Sequence, residues 1–137
     1  MTSPRIRVAA YVIRAGRELL VFDHVGMPEA GTQIPAGGVE EGEGLREAVL
    51  REVAEETGLR TAVVVRELAT EDKPHPTTGE PRRTVFFRLE VPGDTPDAWV
   101  HEVSGDGGDA GLLFACRFLR LPLEEPLVDD QHVWLDL

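Results

Sequence analysis

The chain has 137 residues, 42 % of them apolar and 28 % charged, with a net charge of −11 and a single cysteine. That is the size and make-up of one globular domain with a core of its own, so residues 1–137 are read as a single domain. The charge argues against a nucleic-acid polymer as partner, Cys116 has no mate for an internal disulfide, and no apolar run approaches the ~18 residues of a membrane span.

The N-terminal stretch lacks the long apolar core and cleavage site of a signal peptide. Residues 6–14, "IRVAAYVIR", are rich in β-branched side chains and read as a strand. A turn at 15–18 and a second strand at 19–25 complete a hairpin. Residues 26–32 form a loop, and 33–38, "QIPAGG", a short extended piece, since the residue before Pro35 is biased away from helix. A helix follows over 45–57, opened by Gly44 and stopped by Gly58, with Leu45, Val49, Leu50, Val53 and Ala54 on its apolar side. Strands are expected at 61–70 and 83–91, separated by the proline-containing loop 71–81. A hairpin of 98–103 and 112–121 encloses the loop 104–111, and the tail 128–137 reads as a short helix or a strand, with the helix preferred. Strands outnumber helices, which gives an α+β class with a mixed sheet. Cys116 falls in the apolar run "LLFACRFL" and reads as a buried thiol, consistent with a reducing compartment, the cytoplasm. The histidines at 24, 75, 101 and 132 show no metal-ligand spacing.

The helix carries an unusual load. Residues 37–59 contain seven glutamates against two arginines. At about 100° per residue, Glu52, Glu55 and Glu56 fall within one arc beside the apolar stripe. Carboxylates gathered at a low-dielectric edge are costly unless a cation joins them. Oxygen-only donors suit a hard cation, Mg²⁺ or Mn²⁺, and a glycine-rich lead-in can offer a backbone carbonyl as well. Arg51 lies one turn from both Glu47 and Glu55. The alternative on these grounds alone is a glutamate-rich solvated helix face.

The spacing adds more. Gly37, five residues, Glu43, seven residues, and then Arg51-Glu52-Val53-Ala54-Glu55-Glu56-Thr57-Gly58-Leu59 match nine of nine defined positions of the Nudix box. The chain therefore resembles the Nudix hydrolases. The resemblance implies the Nudix fold, an α/β/α sandwich with a mixed β-sheet. It also implies hydrolysis of a diphosphate linked to another group, with small-molecule substrates and, in many relatives, a homodimer. Carried onto these residues, it makes Glu52 and Glu56 the central ligands of Mg²⁺ or Mn²⁺. Glu55 becomes a further ligand or a water-orienting group, and the Gly37 carbonyl an additional donor. Arg51 would hold the carboxylates in place, with Glu43 as its partner and Gly58 closing the helix. The general base varies in the family: Glu52 or Glu55 is the candidate within the box, and Glu102, then Asp106 or Asp109, the candidates on the later loop. Where relatives often have a side-chain helix cap after the "GE", this chain has Gly44, which affects stability by a few tenths of a kcal/mol, roughly, and not the chemistry.

The box does not name the substrate. "PAG" before it, and Pro74 beyond it, resemble members that cleave ADP-ribose or nucleotide sugars, whereas a tyrosine of the diadenosine-polyphosphate subgroup is replaced here by Thr77. A nucleoside diphosphate linked to another moiety is thus favoured over a non-nucleotide diphosphate or a nucleoside triphosphate. A sensing domain without turnover and an isoprenoid-diphosphate isomerase are the other classes. The complete set of box glutamates argues against the first, and Cys116 within a strand against the second. Arg82 and Arg83 are candidates for gripping phosphate. Phe22, Phe86, Trp99 and Phe114 are candidates for base stacking, though each sits in an apolar strand and reads equally as core.

Overall fold

The computed structural model describes residues 3–105 and 107–136; Asp106, a candidate base above, lies outside the described residues. Two strands open the chain, β1 (Arg5–Arg14) and β2 (Glu18–His24), followed by β3 (Ala36–Gly38) and the helix α1 (Leu45–Thr57). Then come β4 (Val63–Asp72), β5 (Arg82–Val91), β6 (Ala98–Glu102) and β7 (Leu113–Arg120). Among the described residues these strands form one sheet in the order β4-β5-β1-β2-β7-β6, with β3 beside β1. It is mixed, because β1 runs parallel to β5 and antiparallel to β2 and β3.

The sequence of β1 explains its central place. Every residue from Val8 to Ile13 is buried, so both faces are covered and the strand reads as a nearly unbroken apolar run. Alternate residues feed two cores. Val8, Ala10 and Val12 join Leu20, Phe22, Phe87, Leu89 and Phe114 under α1, whose Ala48, Val49 and Val53 close that side. Ala9, Tyr11 and Ile13 join Leu19, Val21, Ile34, Phe86 and Leu127 on the opposite side. Each large side chain so buried stabilises the fold by about 1.5–3 kcal/mol relative to exposure.

β1 and β2 pair only near their turn, at Ile13–Leu19 and Arg14–Glu18. Beyond it they diverge, and the extended segment before α1 wedges into the fork. The Phe22 and Gln33 backbones exchange hydrogen bonds of 2.9 and 3.0 Å, the Ala10 amide donates to the Pro35 carbonyl, and Ala36–Gly38 then pairs with Ala9–Arg7. This wedge carries Gly37 and Gly38 to the foot of α1.

The expected helical tail is not an α-helix. It makes one 3-10 turn at Val128–Asp130 and continues through turns to residue 136. The reason is local: Asp129 and Asp130 both adopt positive φ, 54° and 53°, where an L-residue cannot continue a right-handed helix. Asp129 is held there by Lys73 at 3.0 Å and Arg82 at 2.8 Å. The second outer layer of the sandwich is thus made of turns. They are tied down by polar contacts: the Tyr11 hydroxyl donates to the Gln131 carbonyl, and the Trp134 indole donates to Glu71 at 2.9 Å. No helix among the described residues is long and apolar enough to cross a membrane.

Candidate active site

α1 buries a stripe that includes its charges. Ala48, Val49, Glu52, Val53, Glu56 and Thr57 are the buried residues, at the spacing of one helix face, while Leu50, expected on the apolar side, is 38 % exposed. Two of the three clustered glutamates therefore lie within the stripe and not merely beside it. The helix ends as expected at Gly58, with φ 79° and its amide bonded to the Ala54 carbonyl. β6 and the following loop serve the carbonyls left over there: the Trp99 indole donates to Thr57, and the Ser104 amide and a His101 ring nitrogen meet Glu55.

Arg51 organises the acids. Its guanidinium donates to both oxygens of Glu43 at 2.7 and 2.9 Å, to Glu52 at 2.8 Å, to Glu55 at 3.3 Å and to the Gly38 carbonyl at 2.8 Å. The bond to Glu43 raises the Arg51 guanidinium above its ordinary value and holds the Glu43 carboxyl below its own, in both cases against the effect of burial. Glu56 lies deeper and accepts the Ala36 amide at 2.9 Å. Burial, and then the charge of Glu52, keep the Glu56 carboxyl well above the usual carboxylate range; Asp109 adds to this and the Ala36 amide opposes it. Burial also raises Glu52, against the hydrogen bond from Arg51.

These groups fit a hard divalent cation. Glu52 and Glu56 are buried carboxylates that repel each other, and both sit in a donor set of oxygens only. Glu52 also packs so closely on Gly37 that a Cβ there would stand 2.3 Å from the carboxylate, so the backbone approaches the acid as only glycine permits. Gly105, at φ 92°, does the same for Glu55, where a Cβ would fall 2.5 Å from the carboxyl carbon. Among the described residues no three side chains are already gathered closely enough to enclose an ion. The partners explain this: Arg51 holds Glu52 and Glu55, and the Ala36 amide holds Glu56.

Arg51, Glu52, Glu55 and Glu56 face a cleft of about 410 Å³. It brings together Gly37, Arg51, Glu52, Glu55, Glu56 and Arg82 of the expected site residues, together with Asp109 of the candidate bases. Glu43 stands behind Arg51 as its partner, and Gly58 at the helix end. Glu102 is exposed on β6 and not part of the lining. Arg83 pairs with Asp72 at 2.7 Å and also lies outside the cleft. Phe86 is buried against Tyr11, ring centroids 5.6 Å apart, and Phe22 stacks on Phe114 at 4.1 Å, so these three rings are core. Trp99 is spent on the helix end. Cys116 is buried and its thiol is pushed up to about 12 by burial and the charge of Glu56.

Arg5, Arg7, His75 and Glu80 also line the cleft, and the sequence alone does not mark them. No local pattern singles out the arginines, because they reach the cleft through the pairing of β1 with β3 and β5.

A family model described as NUDIX domain matches residues 3–126. Nudix hydrolase 6 of Arabidopsis thaliana is 37 % identical over 93 residues, which are 65 % of this chain and 32 % of that protein; the chain thus spans about a third of its curated relative. Among solved structures, a MutT NUDIX hydrolase from Burkholderia pseudomallei is 25 % identical and covers 98 % of both chains, with a TM-score of 0.62. A UDP-X diphosphatase is 21 % identical over 88 % of this chain and 52 % of that one, at a TM-score of 0.63. An Ap4A hydrolase of C. elegans is 19 % identical over 86 % of this chain and 81 % of that one, at 0.55. The last two likenesses concern the fold.

Proposed function

Since this chain belongs to the Nudix family, we propose that it hydrolyses a diphosphate linkage in a small-molecule substrate, with Mg²⁺ or Mn²⁺ held by Glu52, Glu56 and Glu55 and by the Gly37 carbonyl. The observation that carries this reading is the pair of buried carboxylates, Glu52 and Glu56, in the lining of an open cleft beside a glycine backbone. A bound divalent cation supplies charge neutralisation on the phosphate oxygens. The rest of the chemistry belongs to the protein. Arg51 fixes the rotamers of Glu52 and Glu55 and is itself fixed by Glu43. Glu55 is the least committed acid of the row, held by one long bond of 3.3 Å, and is assigned as the group that takes the proton of the attacking water. Asp109, which lines the cleft and whose charge reaches Glu56, is the alternative acceptor. Attack on one phosphorus releases two phosphate-terminated products.

For the substrate, "PAG" at 35–37 supports a nucleoside diphosphate linked to another moiety. One observation favours a second reading, a diphosphate without a base: among the described residues lining the cleft, the only aromatic ring is the imidazole of His75. Cys116, a single buried thiol, fits a reducing compartment, the cytoplasm. A homodimer is part of the same reading by family likeness alone. The test is turnover of a panel with Mg²⁺: ADP-ribose, nucleotide sugars, nucleoside triphosphates and non-nucleotide diphosphates. Hydrolysis of at least one, lost by about 10²-fold or more in Glu52→Gln and Glu56→Gln, is expected. Wild-type rates in both variants would remove the assignment.

A further inference from the structure

The acids occupy one wall of the cleft. The rest of the lining carries Arg5, Arg7, Arg82 and His75 against one acid, Glu80, and so forms a mainly basic wall in a chain whose net charge is −11. Arg5 and Arg7 come from the start of β1 and Arg82 from the start of β5, which the parallel pairing sets directly opposite Arg5. Between the two walls lies β3. Gly37 is opposite Val8 on the α1 side of the sheet and Gly38 is opposite Arg7 on the other side, and neither has a side chain to separate the walls. The Glu52 carboxylate rests on Gly37, and the Arg5 guanidinium rests on Gly38, where a Cβ would stand 2.5 Å from its Nη2.

Charge on the two walls is handled differently. Arg82 is paired with Asp129 at 2.8 Å. Among the described residues, no hydrogen bond or ion pair engages the side chain of Arg5 or Arg7. Arg7 is nevertheless half-buried. Burial, and then the like charges of Arg82 and Arg5, lower its guanidinium below the ordinary value, with Glu56 and Glu52 opposing. A solvated strand end would spread such charges apart. Here they converge on the cleft that also holds the acidic row. Guanidinium forks match phosphate oxygens in geometry and in charge.

We propose that Arg5, Arg7 and Arg82 form an anion subsite that takes the second phosphate of the substrate, the neighbour of the phosphorus attacked at the acidic wall. This rests on the reading of the cleft as a diphosphate hydrolase site and adds how the substrate is recognised. His75 supports the same wall. Its Nδ1 accepts the amides of Thr77 and Thr78 at 3.1 Å each, which leaves the proton of the neutral ring on Nε2, a donor at the cleft. Recognition is then by the diphosphate itself, which accounts for a cleft lined, among the described residues, by four arginines and no base-stacking platform.

The experiment is a calorimetric titration of methylenediphosphonate, a diphosphate that cannot be hydrolysed, with saturating Mg²⁺. Wild type is compared with Arg7→Gln, Arg7→Lys, the double variant Arg5→Gln/Arg7→Gln, and Arg88→Gln as a control on β5 outside the cleft. Arg7→Gln is expected to weaken binding by about tenfold or more, the double variant further, and Arg7→Lys less. Arg88→Gln should bind as wild type. In turnover of a cleaved diphosphate, Arg7→Gln should raise KM and change kcat little. A melting curve reports folding, and Arg5→Gln, whose side chain is exposed, supplies the answer if Arg7→Gln does not fold. Wild-type affinity in a folded Arg7→Gln, or in Arg5→Gln/Arg7→Gln, would overturn the subsite. The two readings fail separately: an inert wild type whose methylenediphosphonate affinity still depends on Arg7 would sink the hydrolase and keep the subsite.

Discussion

The two walls of the cleft are built on opposite principles. The acidic wall comes from one stretch of chain, residues 37–56, and is internally braced: one guanidinium, Arg51, joins Glu43, Glu52, Glu55 and the Gly38 carbonyl. The basic wall comes from two strands far apart in sequence and has no comparable brace at Arg5 or Arg7 among the described residues. The difference teaches where each wall finds its counter-charge. On the proposed reading, repulsion among the buried acids is relieved partly from within by Arg51 and otherwise by a bound cation, and repulsion among the arginines by the substrate. The acids should therefore govern the rate, and the arginines the binding.

Removing an acid is the largest blow. Besides the loss of turnover described above, Mg²⁺ should raise the melting temperature of the wild type, because it binds only the folded state. It should not raise that of Glu56→Gln. Next comes Arg51→Met, which leaves Glu43 and Glu52 without their common partner. We expect a loss of about 2–3 kcal/mol by denaturant titration, below the cost for a fully buried pair because the Arg51 side chain is 22 % exposed. Turnover should fall with it, since Glu52 and Glu55 lose their fixed rotamers.

Gly37→Ala probes the ridge between the walls. Its Cβ would meet the Glu52 carboxylate at 2.3 Å, so the acid must swing away. About 1–2 kcal/mol of stability should be lost, and the Mg²⁺ concentration needed for half-maximal rate should rise. Gly42→Ala, which has open space but a φ of 76°, should cost about 1 kcal/mol of stability and leave that Mg²⁺ dependence unchanged.

The effect furthest from the chemistry concerns Asp129, which holds Arg82 in the basic wall. Burial alone would raise its carboxyl, but hydrogen bonds from Arg82 and Lys73 outweigh this and keep it below its ordinary value. A depressed folded value means stability that is complete above the unfolded value near 3.9 and is lost as pH falls through the lower folded one. Acidification below about pH 4 should release the tail, seen as a change in the fluorescence of Trp134, whose indole is bonded to Glu71. Asp129→Asn should cost about 1.5 kcal/mol at neutral pH and remove that part of the acid transition.

What was legible in the sequence follows from the same contrast. The acidic wall is contiguous, so helix periodicity and box spacing displayed Gly37, Glu43, Arg51, Glu52, Glu55 and Glu56 together. The burial of Glu52 and Glu56 within the stripe was hidden, because periodicity marks apolar residues and passes over charged ones. Arg5 and Arg7 reach the cleft only through the pairing of β1 with β3 and β5, which no local pattern announces. The tail misled for a related reason. Its composition allows a helix, but Asp129 and Asp130 are held in left-handed backbone by partners more than forty residues away, Lys73 and Arg82. Glu102 and Asp109 flank one loop and are both exposed, and only the fold puts Asp109 and not Glu102 in the cleft lining.

The account is tested most directly by steady-state kinetics of Glu56→Gln and Arg7→Gln on the same cleaved diphosphate, side by side with saturating Mg²⁺. The expected result is a split: kcat falls by about 10²-fold or more in Glu56→Gln, while Arg7→Gln keeps kcat and raises KM by about tenfold. A Glu56→Gln protein that turns over at the wild-type kcat would contradict the claim that the acidic wall is the catalytic centre.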